Sequence, residues 1–138
     1  MKRISILGAL VLVALALPTA GGESRKFDRG FSFAPREHRV GVKTGPVGIE
    51  SLYIGRWPDP GDFRKGERNL DDTHTCRIEF RYTNRDSRDW KCRYTVSVTS
   101  KGRVLARTES TETLGDGKVG KTHSFGLKMR THEYKLAD

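Results

Sequence analysis

From Thr75 to Tyr82 the chain alternates without an error, with Cys76, Ile78, Phe80 and Tyr82 set between Thr75, Arg77, Glu79 and Arg81. A period of two sends successive side chains to opposite faces of an extended strand, so this segment must bury one face and wet the other. Trp90 to Thr99 repeats the pattern, with Trp90, Cys92, Tyr94, Val96 and Val98 against Lys91, Arg93, Thr95, Ser97 and Thr99. Asn84-Arg85-Asp86-Ser87 between them is polar and turn-forming, so the two runs read as a long hairpin. Beyond the first 22 residues no window of 12 or more has apolar residues spaced by three and four, and no long amphipathic helix is expected.

The rest of the chain keeps the same rhythm. Val40 and Val42 alternate with Gly41 and Lys43, and Val47, Ile49, Leu52 and Ile54 follow with a break of phase at Glu50-Ser51 that suits a bulged strand. Arg56 to Asp72 holds Pro58, Pro60, Gly61 and Gly66 and reads as a long loop. Val104 to Thr113 and Val119 to Met129 read as two more strands, set off by Ser100-Lys101-Gly102 and Gly115-Asp116-Gly117. Short strands between regular turn signals predict an all-β fold, a single antiparallel β-sandwich over residues 38–138. The strand rhythm and the aromatic-rich hairpin over roughly residues 38–130 resemble the immunoglobulin-like and fibronectin-type domains of secreted bacterial proteins, a resemblance of architecture.

Ahead of this domain, Lys2 and Arg3 precede the apolar run Ile4 to Leu17, and Pro18-Thr19-Ala20-Gly21-Gly22 supplies small residues. That is the layout of a bacterial secretory signal peptide over residues 1–22, with cleavage before Glu23 or after Ala20. The run ends short of the roughly 20 apolar residues that a membrane-spanning helix needs. Residues 23–37, whose main apolar content is Phe27, Phe31 and Phe33, read as a partly ordered arm. The chain as a whole carries +9, and the loss of Lys2 and Arg3 leaves the domain strongly basic in a secreted or periplasmic setting.

Cys76 and Cys92 share the inward phase of what read as neighbouring strands, and export places them where thiols are oxidised. Across a hairpin such residues lie about 4.5–5.5 Å apart at Cα, within the reach of a disulfide. A Cys76–Cys92 disulfide is therefore expected. A redox pair would usually show Cys-x-x-Cys, and a zinc site would need two further ligands at short spacing.

Catalytic and cofactor motifs are absent from the sequence. His38, His74, His123 and His132 are scattered. Asp71 and Asp72 stand close enough to His74 to orient an imidazole for a metal or a base, but no motif assigns that role and the cluster reads as a solvated loop end. Asp59, Asp62, Glu67, Asp71 and Asp72 cluster in the loop without the spacing of a calcium loop, and Arg56, Arg64, Lys65 and Arg68 dilute their charge.

Two surfaces stand out for binding. Arg77, Arg81, Lys91 and Arg93 on the outward phase, with Arg85 and Arg88 at the turn, make a basic stripe that would attract anionic polymers. The same charges also keep a sheet face soluble and guard its edge. Nucleic acid is the least expected polyanion, because Phe80, Tyr82, Trp90 and Tyr94 point inward and leave nothing outside to stack on bases. Trp57 and Phe63 in the long loop either close the end of the core or form a protein-contact patch. The function expected is that of an exported binding or accessory module without catalysis, cofactor or metal. A small hydrolase using the loop carboxylates, and an inhibitor or subunit presenting Trp57 to a secreted enzyme, are the alternatives.

Overall fold

The computed structural model describes residues 10–18, 24–33, 36–55 and 73–136. The loop with Trp57, Phe63 and its carboxylates lies outside these residues, as do the cleavage positions and the side chain of His74. Eight strands follow one another: β1 (Leu10–Pro18), β2 (Ser24–Ser32), β3 (Glu37–Thr44), β4 (Val47–Gly55), β5 (Thr73–Asn84), β6 (Trp90–Ser100), β7 (Arg103–Leu114) and β8 (Lys121–Arg130), and a single helical turn, α1 (Thr131–Leu136), ends the chain. They form two four-stranded antiparallel sheets, in the orders β2-β1-β6-β7 and β3-β4-β5-β8, packed face to face as a β-sandwich. No helix among the described residues is long and apolar enough to cross a membrane.

The period-two rows fill the interior as their phase requires. Ile78, Phe80, Tyr94, Val96, Ile49, Leu52, Ile54 and Leu127 are fully buried. Phe80 of one sheet stacks on Tyr94 of the other, with ring centroids 4.3 Å apart and planes 22° from parallel. The phase break at Glu50-Ser51 is a shift of register between Ile49 and Ser51 in the β4–β5 pairing, and a second shift falls between Arg39 and Val42 in β3–β4. Lys101 and Gly102 both have positive φ, 50° and 77°, the handedness that lets a two-residue turn follow the twist of the β6–β7 hairpin.

Asn84 to Asp89 is where the sequence misleads. The segment does not fold β6 back on β5; it carries the chain from one sheet to the other, and β5 pairs instead with β4 and β8 while β6 pairs with β1 and β7. Buried side chains settle this. Asn84 is fully buried and donates through Nδ2 to the carbonyls of Leu114 (2.8 Å) and Arg88 (3.0 Å). Its Oδ1 accepts the Asp86 N–H at 2.9 Å. The Arg85 N–H meanwhile donates to the Pro46 carbonyl at 2.9 Å, pinning the crossover to the β3–β4 turn.

The expected Cys76–Cys92 disulfide is overturned for the same reason. Both residues face inward, as their phase demands, but Cys76 lies opposite Leu127 in one sheet and Cys92 opposite Glu112 in the other, and no disulfide joins them. Phase specifies the face of a strand; it does not specify the neighbour. Burial pushes the Cys92 thiol up to about 12, so it stays protonated and poorly nucleophilic at neutral pH. The native protein is expected to resist a thiol reagent at pH 7, to take up two equivalents once denatured, and to show the intact mass of the fully reduced chain. A mass lower by two hydrogens would contradict this arrangement.

Asp86 completes the crossover. Its carboxylate accepts the Trp90 indole N–H at 2.7 Å, the Arg88 Nε–H at 3.0 Å and the Ser87 backbone N–H at 2.7 Å. The Trp90 hydrogen bond foremost, then those of Arg88 and Ser87, hold its pKa below the ordinary value of 3.8 against the opposing effect of burial. A carboxylate whose folded pKa is depressed stabilises the fold above its unfolded pKa and loses that contribution as pH falls through the folded value. Asp86→Asn should therefore melt earlier than the parent protein at pH 7, with the two melting curves converging as the pH is lowered below the carboxylate range.

The apolar run read as a leader supplies β1, between β2 and β6. Val11, Val13, Leu15 and Leu17 are buried, while Leu12 on the opposite phase is 47% exposed. Nine continuous apolar residues satisfy a buried strand as well as they satisfy the core of a leader. Ser24–Ser32, within the segment read as an arm, forms β2 along the far side of β1.

Candidate anion-binding site

The basic residues read as one stripe fall on two surfaces that face away from each other. Arg77 and Arg81 project from β5 on the outside of one sheet, Lys91 and Arg93 from β6 on the outside of the other, because β5 and β6 belong to different layers. Arg77 pairs with Glu79 and reaches Ser124, and Arg81 lies 3.8 Å from Glu37. Arg88 is held by Asp86 and sits over the Trp90 ring at 5.6 Å. Arg93 shares its surroundings with Lys26, Asp28 and Glu109, a neighbourhood of balanced charge. Arg85 stands where two further cations, Arg39 and Lys43, line the same surface.

That place is a hollow of about 330 Å³ on the outer side of the β3-β4-β5-β8 sheet, with Arg39, Lys43 and Arg85 around it and Glu50 and Thr83 at one side. The backbone shapes it. Both register shifts of β3–β4 and β4–β5 fall here, and Gly41, with φ +65°, adopts a conformation that L side chains rarely take. Gly48 brings no side chain to the hollow, where a Cβ would meet the Val42 carbonyl oxygen at 3.4 Å. Arg39 and Lys43 occupy the outward phase of β3, and Arg85 is placed by its backbone hydrogen bond to Pro46. The Glu50 carboxylate accepts the Thr83 hydroxyl, whose oxygen accepts the Gly120 N–H at 3.2 Å. Three cations thus surround one carboxylate, and among the described residues Arg39, Lys43 and Arg85 form no ion pair. Two guanidinium forks and an ammonium around a concave floor suit the oxygens of a phosphate, sulfate or carboxylate group.

Lys43 was read in the sequence only as alternating with Val40 and Val42, and Arg39 was missed, although its place beside Val40 gives it the same outward phase. Gly41 and Gly48, isolated inside strands, carry a signal of a bulge or a close approach of backbone that the reading of the sequence did not use. What the sequence lacked was the adjacency of β3 to the start of the crossover, which brings Arg85 to them.

A second polar cluster lies between the layers at β7 and β8. Thr108, Ser110 and Glu112 take the inward phase of β7, where the other strands carry apolar side chains. Ser110 donates to Glu112 at 2.6 Å, the His123 Nδ1 lies 3.7 Å from Glu112, and the His123 ring stacks on Tyr82 at 4.6 Å. The Tyr94 hydroxyl and the His123 Nε2 are buried without a hydrogen-bond partner among the described residues. Burial raises the Tyr94 pKa. Burial also keeps the thiol of Cys92, which lies opposite Glu112 in the β6–β7 pairing, protonated at neutral pH. Among the described residues no group of three or more His, Cys, Asp or Glu is arranged to hold a metal ion.

Fold and site together define a two-sheet antiparallel β-sandwich with a cationic hollow on one outer face. No family model, curated protein or solved structure matches the chain.

Proposed function

We propose that this chain is an exported, non-catalytic binding module of the bacterial envelope or exterior, immunoglobulin- or fibronectin-like in architecture, that grips anionic polymers at the hollow ringed by Arg39, Lys43 and Arg85. The observation that carries the reading is the set of three cations that line one hollow and form no ion pair among the described residues. The leader-like start and the positive charge agree with it: an exported basic protein meets phosphate- and carboxylate-rich polymers, and its surface field would draw them in.

Titration with dextran sulfate at low and high salt tests the proposal. Arg39→Gln, Lys43→Gln and Arg85→Gln together should weaken binding on the order of 100-fold, since exposed ion pairs contribute up to about 1 kcal/mol each, and should flatten the salt dependence. Lys91→Gln with Arg93→Gln, on the opposite face, should change it by less than about threefold, the scale of charges outside the contact. Equal losses from the two sets would mean that net charge, and not this hollow, does the binding.

A further inference from the structure

β1 places two demands on the same residues. It is hydrogen-bonded to β2 on one side and to β6 on the other, and β2 has no other neighbour in its sheet. Under the proposed function the leader is removed on export, and β1 leaves with it. Two edges are then bared at once: the inner edge of Ser24–Ser32, and the β6 edge from Arg93 to Thr99. Bare edges beside an apolar face are templates for pairing.

We infer that removal of the leader is a folding step, in which β2 closes sideways onto the vacated edge of β6 and its Phe27 and Phe31 take the core positions left by Leu15 and Val11. This rests on the leader reading. The register supports it directly. Phe27 lies opposite Leu15, which lies opposite Tyr94, and Phe31 lies opposite Val11, which lies opposite Val98. Both phenyl rings already have the inward phase and pack, partly buried, against the core. A lateral step of one strand spacing, about 4.8 Å, carries them to the vacated positions without a change of phase.

The two strands are each nine residues long, so β2 can cover the stretch of β6 that β1 covered. Because β1 is antiparallel to both, β2 and β6 run in the same direction, and closure makes a parallel pair at the edge of the sheet. Arg29, level with Val13, and Arg25, level with Leu17, then lie on an edge strand, where a long side chain can follow apolar surface and keep its charge in water. Arg25 already lies over the Phe27 ring at 5.0 Å. Tethering favours β2 over a strand from another molecule, because an intramolecular partner acts at an effective concentration of millimolar order.

Hydrogen exchange on the exported protein tests the inference, with an Ala20→Tyr chain, blocked at both candidate cleavage positions, as the β1-containing reference. N-terminal sequencing and light scattering accompany it. In the processed monomer the amides of Arg93–Thr99 that face the vacated edge should remain protected, on the order of 100-fold over the unfolded chain. Phe27→Ser with Phe31→Ser should reduce that protection at least about tenfold and leave the β7-facing amides of β6 unchanged, which separates lost closure from global unfolding. Free exchange along that edge in the processed monomer would overturn the closure alone. So would protection that appears only in a dimer, or only with the cleaved leader still bound. An exported chain that still begins at Met1 would overturn the leader reading and the closure together.

Discussion

Phe80→Ala is expected to lower the unfolding free energy by about 4 kcal/mol, within the range found when a buried phenyl ring is deleted. Phe80 is fully buried, and it joins the layers: its ring stacks on Tyr94 of the opposing sheet at 4.3 Å and lies 5.9 Å from Phe125 of β8. Deleting it removes apolar burial and leaves a cavity between two sheets whose backbones are fixed by their own ladders, so collapse is poor. Phe80→Leu keeps most of the volume and should cost about 1–1.5 kcal/mol. Urea denaturation of both variants checks the pair. A Phe80→Ala loss no larger than that of Phe80→Leu would show that the layers are not held at this contact.

Asn84→Ala should cost about 3 kcal/mol, a large effect for a polar residue at the end of a strand. Its amide serves two carbonyls and its oxygen one N–H, tying the last residue of β5 to the crossover and to Leu114 at the end of β7. Leu114 is fully buried, so water cannot easily replace the lost donor. Asn84→Asp should be no better. It keeps an acceptor for the Asp86 N–H but turns a carboxylate oxygen toward the Leu114 carbonyl in place of a donor. Wild-type stability in Asn84→Asp would remove Asn84 from its place at the centre of the crossover.

These two residues show how unevenly the fold is written in the chain. The inward row of β5 was readable from Cys76 to Tyr82 because burial on one face imposes a strict period, and Phe80 therefore had to meet the interior. Its partner was also readable as an inward residue, but not as a residue of the other sheet. The segment Asn84-Arg85-Asp86-Ser87 has the composition of a hairpin turn, and turn composition is the same whether a chain folds back beside itself or crosses to a facing layer. From that one ambiguity came both errors of juxtaposition, the disulfide and the basic stripe. Cys76 and Cys92, and Arg81 and Lys91, were each assigned the correct side of their own strand and the wrong relation to one another.

The candidate site divides in the same way. Arg85 was visible as a charged residue beside a turn, and Lys43 as a member of an alternating run whose outward phase Arg39 shares; their meeting depends on two shifts of register and on the pairing of the β3–β4 turn with the crossover. The polar inward row of β7 could have been found from its phase, since Glu112 stands where neighbouring strands place apolar groups.

The amino-acid sequence by itself determined the extended character of the chain from Val40 onward, the buried faces of β3, β4, β5 and β6, the position of the bulge near Glu50 and the basic character of the exterior. These follow from interactions between near neighbours and from the period of a single strand. The tertiary structure alone decided which strands are partners, on which layer each lies, and that β1 stands between β2 and β6. Those outcomes depend on hydrogen bonds such as Asn84 to Leu114, formed between residues far apart in the chain, and no local period records them.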